Sequence, residues 1–379
     1  QDGSGDYSSI QDAIWSESTG VEIIISGDTY YENLYIPGDR QDLTFVGSIN
    51  ANGTLTTLVG DWGSDSLVRS MASVTFRDMV FDRSGSTAFA DGGVFHSSNM
   101  NGTNEITAEF DRCEFVNNQS GGYNGGVIYQ IGGSLILNSC MFHNNTDAWF
   151  GGAVFIANAN GTDASSTLKV NVCSFDGNTA NTAGGIYLGF GVKAEINDSY
   201  FSCNKPGDIA GGGSWTGDGN SFETCVLTVT QDGTGDYWNI QDAINDAADG
   251  YIIEVSAETY YESIFIYDKE ITIEGTIAFN RNATDRTTID GLFNGPVVES
   301  ESNVTLRNLR LVNGSHVVGG GFAEYFFSDT DVVMENVWIE NCVANENGGG
   351  ISKNGGSLSL IDCRLLNNSA TWGNGGGLY

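Results

Sequence analysis

Apolar and polar residues alternate over short runs along most of the chain. Val21–Ser26, Asn33–Ile36, Leu43–Val46, Leu55–Val59 and Val74–Phe81 are rich in β-branched and aromatic residues and are bounded by Gly, Asp or Asn. That pattern predicts half-buried strands joined by tight turns. Two stretches switch to helical spacing. Ile10, Ala13 and Ile14 share one apolar face, with Ser9 or Ser8 as cap and Asp12 three residues after Ser9. Asn239 and Asp242 take the same parts ahead of Ile240 and Ile244. Each predicts a short capped helix, suited to covering the open end of a stack of strands.

A longer period is laid over the alternation. Phe115-Val-Asn-Asn118 precedes Gly125-Gly126, Phe142-His-Asn-Asn145 precedes Gly151-Gly152, and Phe175-Asp-Gly-Asn178 precedes Gly184-Gly185. Phe201-Ser-Cys-Asn204 precedes Gly211-Gly212, and Leu365-Leu-Asn-Asn368 precedes Gly375-Gly376. Glycine pairs at 92, 125, 151, 184 and 211 are spaced 33, 26, 33 and 27 residues apart. A propeller blade needs about 40 residues, whereas three short strands and their turns fit a coil of a parallel β-helix. Cys113, Cys140, Cys173, Ser199 and Cys363 stand two residues before the Phe or its equivalent, as expected of an inward strand position. Stacking the coils places Asn118, Asn145, Asn178, Asn204 and Asn368 in a turn ladder, each amide bonding to the next.

The pattern also repeats at long range. Gln1-Asp-Gly-Ser-Gly-Asp-Tyr7 matches Gln231-Asp-Gly-Thr-Gly-Asp-Tyr237, and Thr29-Tyr-Tyr-Glu32 matches Thr259-Tyr-Tyr-Glu262, both at an offset of 230. The expectation is two tandem β-helix units, 1–226 and 227–379, each opened by a helical cap. The second is expected to be C-terminally incomplete, as in a segment of a longer array.

Composition narrows the function classes. The chain of 379 residues carries 48 acids and 15 bases, a net charge of −33. It has no basic stripe for nucleic acid and no attraction to an anionic bilayer, and no apolar run of spanning length. Neither nucleic acid nor membrane insertion is therefore expected. Asn-x-Ser/Thr acceptors occur at Asn52, Asn101, Asn118, Asn144, Asn160, Asn197, Asn282, Asn303, Asn313 and Asn367. They predict a secreted, extracellular N-glycosylated protein, with Asn118 protected by the ladder and Asn144 and Asn367 pointing outward. Of seven cysteines, Cys203 and Cys225 flank a turn-rich junction and are the candidate disulfide.

The Phe-x-x-Asn and Gly-Gly-Ala-Val motifs resemble the repeats of bacterial polymorphic outer-membrane proteins, which implies a right-handed parallel β-helix. The opening Asp2-Gly-Ser-Gly-Asp-Tyr7, Ile10-Gln-Asp-Ala-Ile14 and Thr29-Tyr-Tyr-Glu32 segments are similar to the start of pectin methylesterases and other pectin-lyase-like chains. The resemblance implies fold more than activity. The two aspartates and the arginine of the esterase motifs have no counterpart, since no Gln-Asp-Thr-Leu, Asp-Phe-Ile-Phe-Gly or Leu-Gly-Arg-Pro-Trp occurs.

His96, His143 and His316 fall at different coil positions and are read as surface or turn residues, with no metal spacing among them. The Asp2–Asp6 turn could take Ca²⁺, but a plain Gly-rich turn is the simpler reading, and no cofactor is expected. The resulting expectation is a non-enzymatic structural or adhesive glycoprotein. Its units would stack head to tail with copies of itself into a fibre. The alternative is a polysaccharide-binding or polysaccharide-processing β-helix, in which Tyr30, Tyr31, Tyr129 and Tyr187 would meet sugar rings.

Overall fold

The computed structural model describes residues 5–60, 66–82, 91–98, 106–120, 124–147, 149–159, 166–277, 286–324 and 329–379. It divides into two compact units, 1–223 and 224–379, a boundary three residues earlier than the expected one. Strand Val226–Val229 pairs with Ile252–Val255 and so belongs wholly to the second unit.

In the first unit, three parallel sheets of eight, eight and seven strands run the length of the stack. One coil shows how the chain makes them. Thr107–Asp111 adds to the first sheet, Glu114–Val116 to the second and Ile128–Ile131 to the third, and Ser134–Asn138 begins the next coil beside Thr107–Asp111. Every named strand pairing is parallel, and crossovers between parallel strands are right-handed. The architecture is the right-handed parallel β-helix that the period predicts.

Two turns of each coil hinge on residues in the left-handed region. Between the first and second sheets these are Asp78, Arg112, Ser139, Val172 and Asp198, with φ from 50° to 57°. After the second sheet they are Asn117, Asn144, Gly177 and Cys203. Asn and Asp tolerate this conformation through local side-chain bonding, which accounts for their frequency here. Directly after the second turn, Asn118, Asn145, Asn178 and Asn204 point inward and are buried.

The core is two columns of phenylalanine. Phe45, Phe76 and Phe110 stack on the first sheet, with centroids 4.9 and 5.4 Å apart. Phe81, Phe115, Phe142, Phe175 and Phe201 stack on the second at 4.6–5.0 Å. Each buried ring adds about 1.5–3 kcal/mol of transfer free energy. Cys113, Cys140 and Cys173 are buried free thiols lying between the columns' strands, and Cys140 donates to Phe110 O at 3.3 Å.

Both helices are capped as the sequence indicates. Ser9 Oγ accepts from Asp12 N at 3.0 Å, and Asn239 Oδ1 from Asp242 N at 2.8 Å. The Thr-Tyr-Tyr-Glu motif has a further role. The Glu32 carboxylate accepts the N–H groups of Ile10 and Gln11, both at 3.1 Å, and Glu262 does the same for Ile240 and Gln241. An acid at this end satisfies orphan donors and complements the helix dipole. It also ties the helix to the second strand of its own coil.

The second unit repeats the plan with sheets of six, five, four and three strands. Its inward columns include Leu309, Val337 and Ile339, all buried.

One register expectation needs correction. The period predicts Gly211-Gly212 as the fifth copy of the glycine turn. Gly211 instead lies in strand Ile209–Gly211, opposite Leu188, so it is a strand residue. In the preceding coil Ala183, not Gly184, takes the positive φ, at 56°. The glycine count locates the turn only to within a residue or so, because close packing between coils, as well as backbone angle, demands glycine there. A Cβ on Gly126 would lie 2.0 Å from Gly152 O.

Candidate active site on the third sheet

The outer face of the third sheet in the first unit carries one continuous column of large side chains. Parallel register puts Tyr35 beside Arg69, Arg69 beside His96, His96 beside Tyr129, Tyr129 beside Phe155 and Phe155 beside Tyr187. Ring centroids are 4.9 Å apart for His96–Tyr129, 5.2 Å for Tyr129–Phe155 and 5.3 Å for Phe155–Tyr187. The last two pairs are parallel within 10°. Phe150 closes the flank, 4.7 Å from Tyr187. The spacing follows from the coil repeat, which sets like positions about 4.8 Å apart.

Beside His96, partway along the column, a carboxyl group stands out. Asp91, Asn124 and Phe150 each come just before a glycine in the left-handed region, at Gly92, Gly125 and Gly151. These turns therefore deliver three side chains to the same edge of the sheet. Asn124 Nδ2 donates to Asp91 Oδ1 at 3.0 Å. Burial raises the Asp91 pKa from its ordinary value, against the opposing effects of the Asn124 bond and of His96. The Tyr129 phenol is pushed up to about 12, chiefly by burial and then by the charge of Asp91. His96 Nδ1 lies 3.0 Å from Asp91 O. A carbonyl can only accept, so Nδ1 carries the proton and Nε2 is the basic nitrogen of the neutral ring. The edge thus gathers a carboxyl group that holds its proton unusually well, an imidazole fixed in one tautomer, and an arginine one strand away.

The fold does not require these residue types. In the second unit the matching outer column reads Phe265, Glu299, Ala323 and Ser352. Glu299 stands 230 residues after Arg69, and Ser352 and Ala323 replace rings.

The other sequence-derived candidates fall elsewhere. Asn118, Asn145, Asn178 and Asn204 bond coil to coil, with Nδ2-to-Oδ1 distances of 2.8–3.0 Å. Asn368 is in the second unit, where its Oδ1 accepts from Cys342 N and its Nδ2 donates to Ile339 O. Asn52, Asn144, Asn303 and Asn367 are exposed and Asn197 and Asn313 half-buried; Asn101, Asn160 and Asn282 lie outside the described residues. So does most of the Asp2–Asp6 turn. Cys203 and Cys225 are both disulfide-bonded.

Tyr30 is buried against Ser26, and Tyr31 is exposed. His143 lies 3.7 Å from Asp176, and His316 Nδ1 is 2.7 Å from Val318 O. Among the described residues no group of three His, Cys, Asp or Glu is placed to hold a metal ion, and no helix is long and apolar enough to cross a membrane.

A continuous three-sheet coil with an asparagine-lined turn defines a class by architecture, the right-handed parallel β-helices, and this chain has that architecture. A segment of 163 residues is 28% identical to Pectinesterase 31 of Arabidopsis thaliana, covering 40% of this chain and 50% of the relative. The match thus spans half the length of that curated relative. Among solved structures, a mannuronic acid specific polysaccharide family 6 lyase from human gut microbiota aligns at TM-score 0.31 and 9% identity, over 91% of this chain and 78% of its own. The PL6 family alginate lyase AlyGC aligns at TM-score 0.29 and 10% identity, over 95% and 79%. No protein-family profile matches the chain.

The match to a pectinesterase overturns the expectation of a non-enzymatic protein. That expectation rested on the absence of linear motifs. Here the chemistry-bearing side chains come from the turn and strand of one coil, 5 residues apart, and from the neighbouring coil 33 residues on, which they meet through register. No linear motif joins Arg69, Asp91, His96, Asn124, Phe150 and Phe155. Their signal was nonetheless present, since His96, Tyr129, Phe155 and Tyr187 each stand four residues after the left-handed turn residue of their coil. The head-to-tail fibre finds no support in any of these likenesses.

Proposed function

We propose that this protein is a polysaccharide-processing β-helix, with an acidic polysaccharide lying along the Tyr35–Tyr187 column and reacting beside Asp91 and His96. The observation that carries the reading is that column. Rings at coil spacing lead to a proton-holding carboxyl group and a tautomer-fixed imidazole, on a face where the second unit has neither. Aromatic faces and edges suit sugar C–H surfaces, and Arg69 suits a carboxylate on the chain.

The reaction class is ester hydrolysis. His96 Nε2 takes a proton from water as its oxygen attacks the ester carbonyl. Asp91 gives its proton to the departing alkoxide as the C–O bond breaks. The products are an alcohol and a uronic acid, which loses its proton to solvent to give the uronate, and the proton taken up by His96 returns to Asp91 through solvent.

The test is an assay of the full chain on methyl-esterified polygalacturonate. Alcohol release and formation of unsaturated ends are followed together. Alcohol release that is lost in Asp91→Asn and reduced in Tyr187→Ala supports the reading. Unsaturated ends in place of alcohol would reassign the chemistry to elimination. Full turnover in Asp91→Asn, or none on any polyuronate, would sink it.

A further inference from the structure

The geometry points to an anion-binding cradle on the second unit, built from Arg286, Trp338 and Arg364, for the carboxylate or sulfate groups of an acidic polysaccharide. Outward positions on the five-stranded sheet run Thr288, Arg310, Trp338 and Arg364 in parallel register. The Arg286 guanidinium sits 4.5 Å from the Trp338 ring centroid, and that of Arg364 sits 5.1 Å from it. Two cations therefore stand over one indole.

Their surroundings do not neutralise them. Arg286 is buried, and its Nη1 and Nη2 donate to the backbone and side-chain oxygens of Asn336, the latter at 2.9 Å. That contact fixes the guanidinium without supplying charge. Arg364 is exposed. Among the described residues neither has a carboxylate within salt-bridge distance, whereas Arg310 between them is spoken for by Glu340 at 2.7 and 2.9 Å. In a chain with 48 acids and 15 bases, two arginines that have no carboxylate partner among the described residues and share one indole run against the composition. Burial also disfavours the charge of Arg286, lowering its pKa.

An anion beside the indole can take the exposed Arg364 fork, and the Arg286 charge on the other side of the ring adds to its attraction. The indole supplies an apolar wall, as a saccharide ring needs. The first unit shows that the fold can do without such a cluster, because the matching column there reads Thr57, Val80, Glu114, Met141 and Ser174. The anion part of this inference stands on the arginines alone, and the saccharide part rests on the polysaccharide reading.

The test is calorimetric binding of the full chain to de-esterified polygalacturonate, to a sulfated polysaccharide and to neutral dextran. Wild type is compared with Arg364→Gln, Arg286→Gln and Asp91→Asn. Arg364→Gln is exposed, so its far-UV circular dichroism should match wild type. The expected result is about tenfold weaker polyuronate binding in Arg364→Gln, with the wild-type preference over dextran reduced and much of the salt sensitivity removed. Tighter binding of the sulfated chain, with the same arginine dependence, would assign the site to sulfate. Unchanged polyanion affinity in both arginine variants would overturn the cradle. Arginine-dependent binding without turnover leaves the cradle standing and removes the esterase reading, while turnover with arginine-independent binding does the reverse.

Discussion

Asn145 gives both its backbone N–H and its Nδ2 to a single acceptor, Oδ1 of Asn178, at 3.1 and 2.8 Å. Its own Oδ1 takes the same two donors from Asn118 in the coil before. The second hydrogen of Nδ2 goes to Phe115 O at 3.1 Å. The buried amide is thus used at both ends, and each ladder residue satisfies its neighbour's backbone as well as its own side chain.

Replacing Asn145 with Ala should therefore destabilise the first unit by about 2–4 kcal/mol, since donors of Asn118 and the carbonyl of Phe115 lose their partners in a dry turn. The midpoint of guanidinium unfolding, followed by tryptophan fluorescence and circular dichroism, measures it. A shift equivalent to less than about 0.5 kcal/mol would mean that water replaces the amide.

Val172 holds φ at 57° and is 60% exposed. A β-branched residue gains little there and carries the steric cost of the left-handed region. Val172→Asn and Val172→Gly should each raise stability, by about 1 kcal/mol for Asn. A fall in the thermal midpoint of both variants would show that Val172 makes compensating contacts.

Asp91 sets an opposed pair of effects. Its folded pKa is raised, so its contribution to stability is fully present below the unfolded carboxyl value of about 4. That contribution is lost as pH rises through the folded value. Asp91→Asn keeps an oxygen for Asn124 and cannot ionise, so it should be more stable than wild type at neutral pH and converge with it in acid. Turnover should show the complementary profile in wild type, falling as pH rises through the same transition, and be absent in the variant. Parallel stability curves for the two proteins between pH 3 and pH 8 would contradict the assigned shift.

The sequons separate by the side on which their turn faces. Asn144 sits in the left-handed turn position and is exposed, and Asn367 does the same in the second unit, whereas Asn118 is enclosed by Asn145 and Phe81. We expect glycopeptide mass spectrometry of protein secreted from a eukaryotic host to find sugar on Asn144 and Asn367 and none on Asn118. A glycan on Asn118 in folded, soluble material would break the inward ladder at its first rung.

Much of the fold was legible because it is local and repeated. Phe115, Phe142 and Phe175 recur with Asn118, Asn145 and Asn178 at a fixed distance, and stacking turns a period in sequence into columns in space. The site was harder to see for the same reason. Asp91 and Asn124 differ in chemistry, so no motif links them, and they meet because both precede a left-handed glycine. Gly211 was misplaced because it copies the turn's composition without its register.

The sequence by itself determined the coil, its strand period, the capped helices, the inward asparagines and the acidity of the surface. These follow from backbone preference and burial, which act within one coil and its neighbour. Only the tertiary structure decided which outward residues share a column. A shift of one residue moves a side chain to the opposite face of its sheet. That is why Tyr35, Arg69, His96, Tyr129, Phe155 and Tyr187 read as scattered residues along the chain and as one surface in the folded protein.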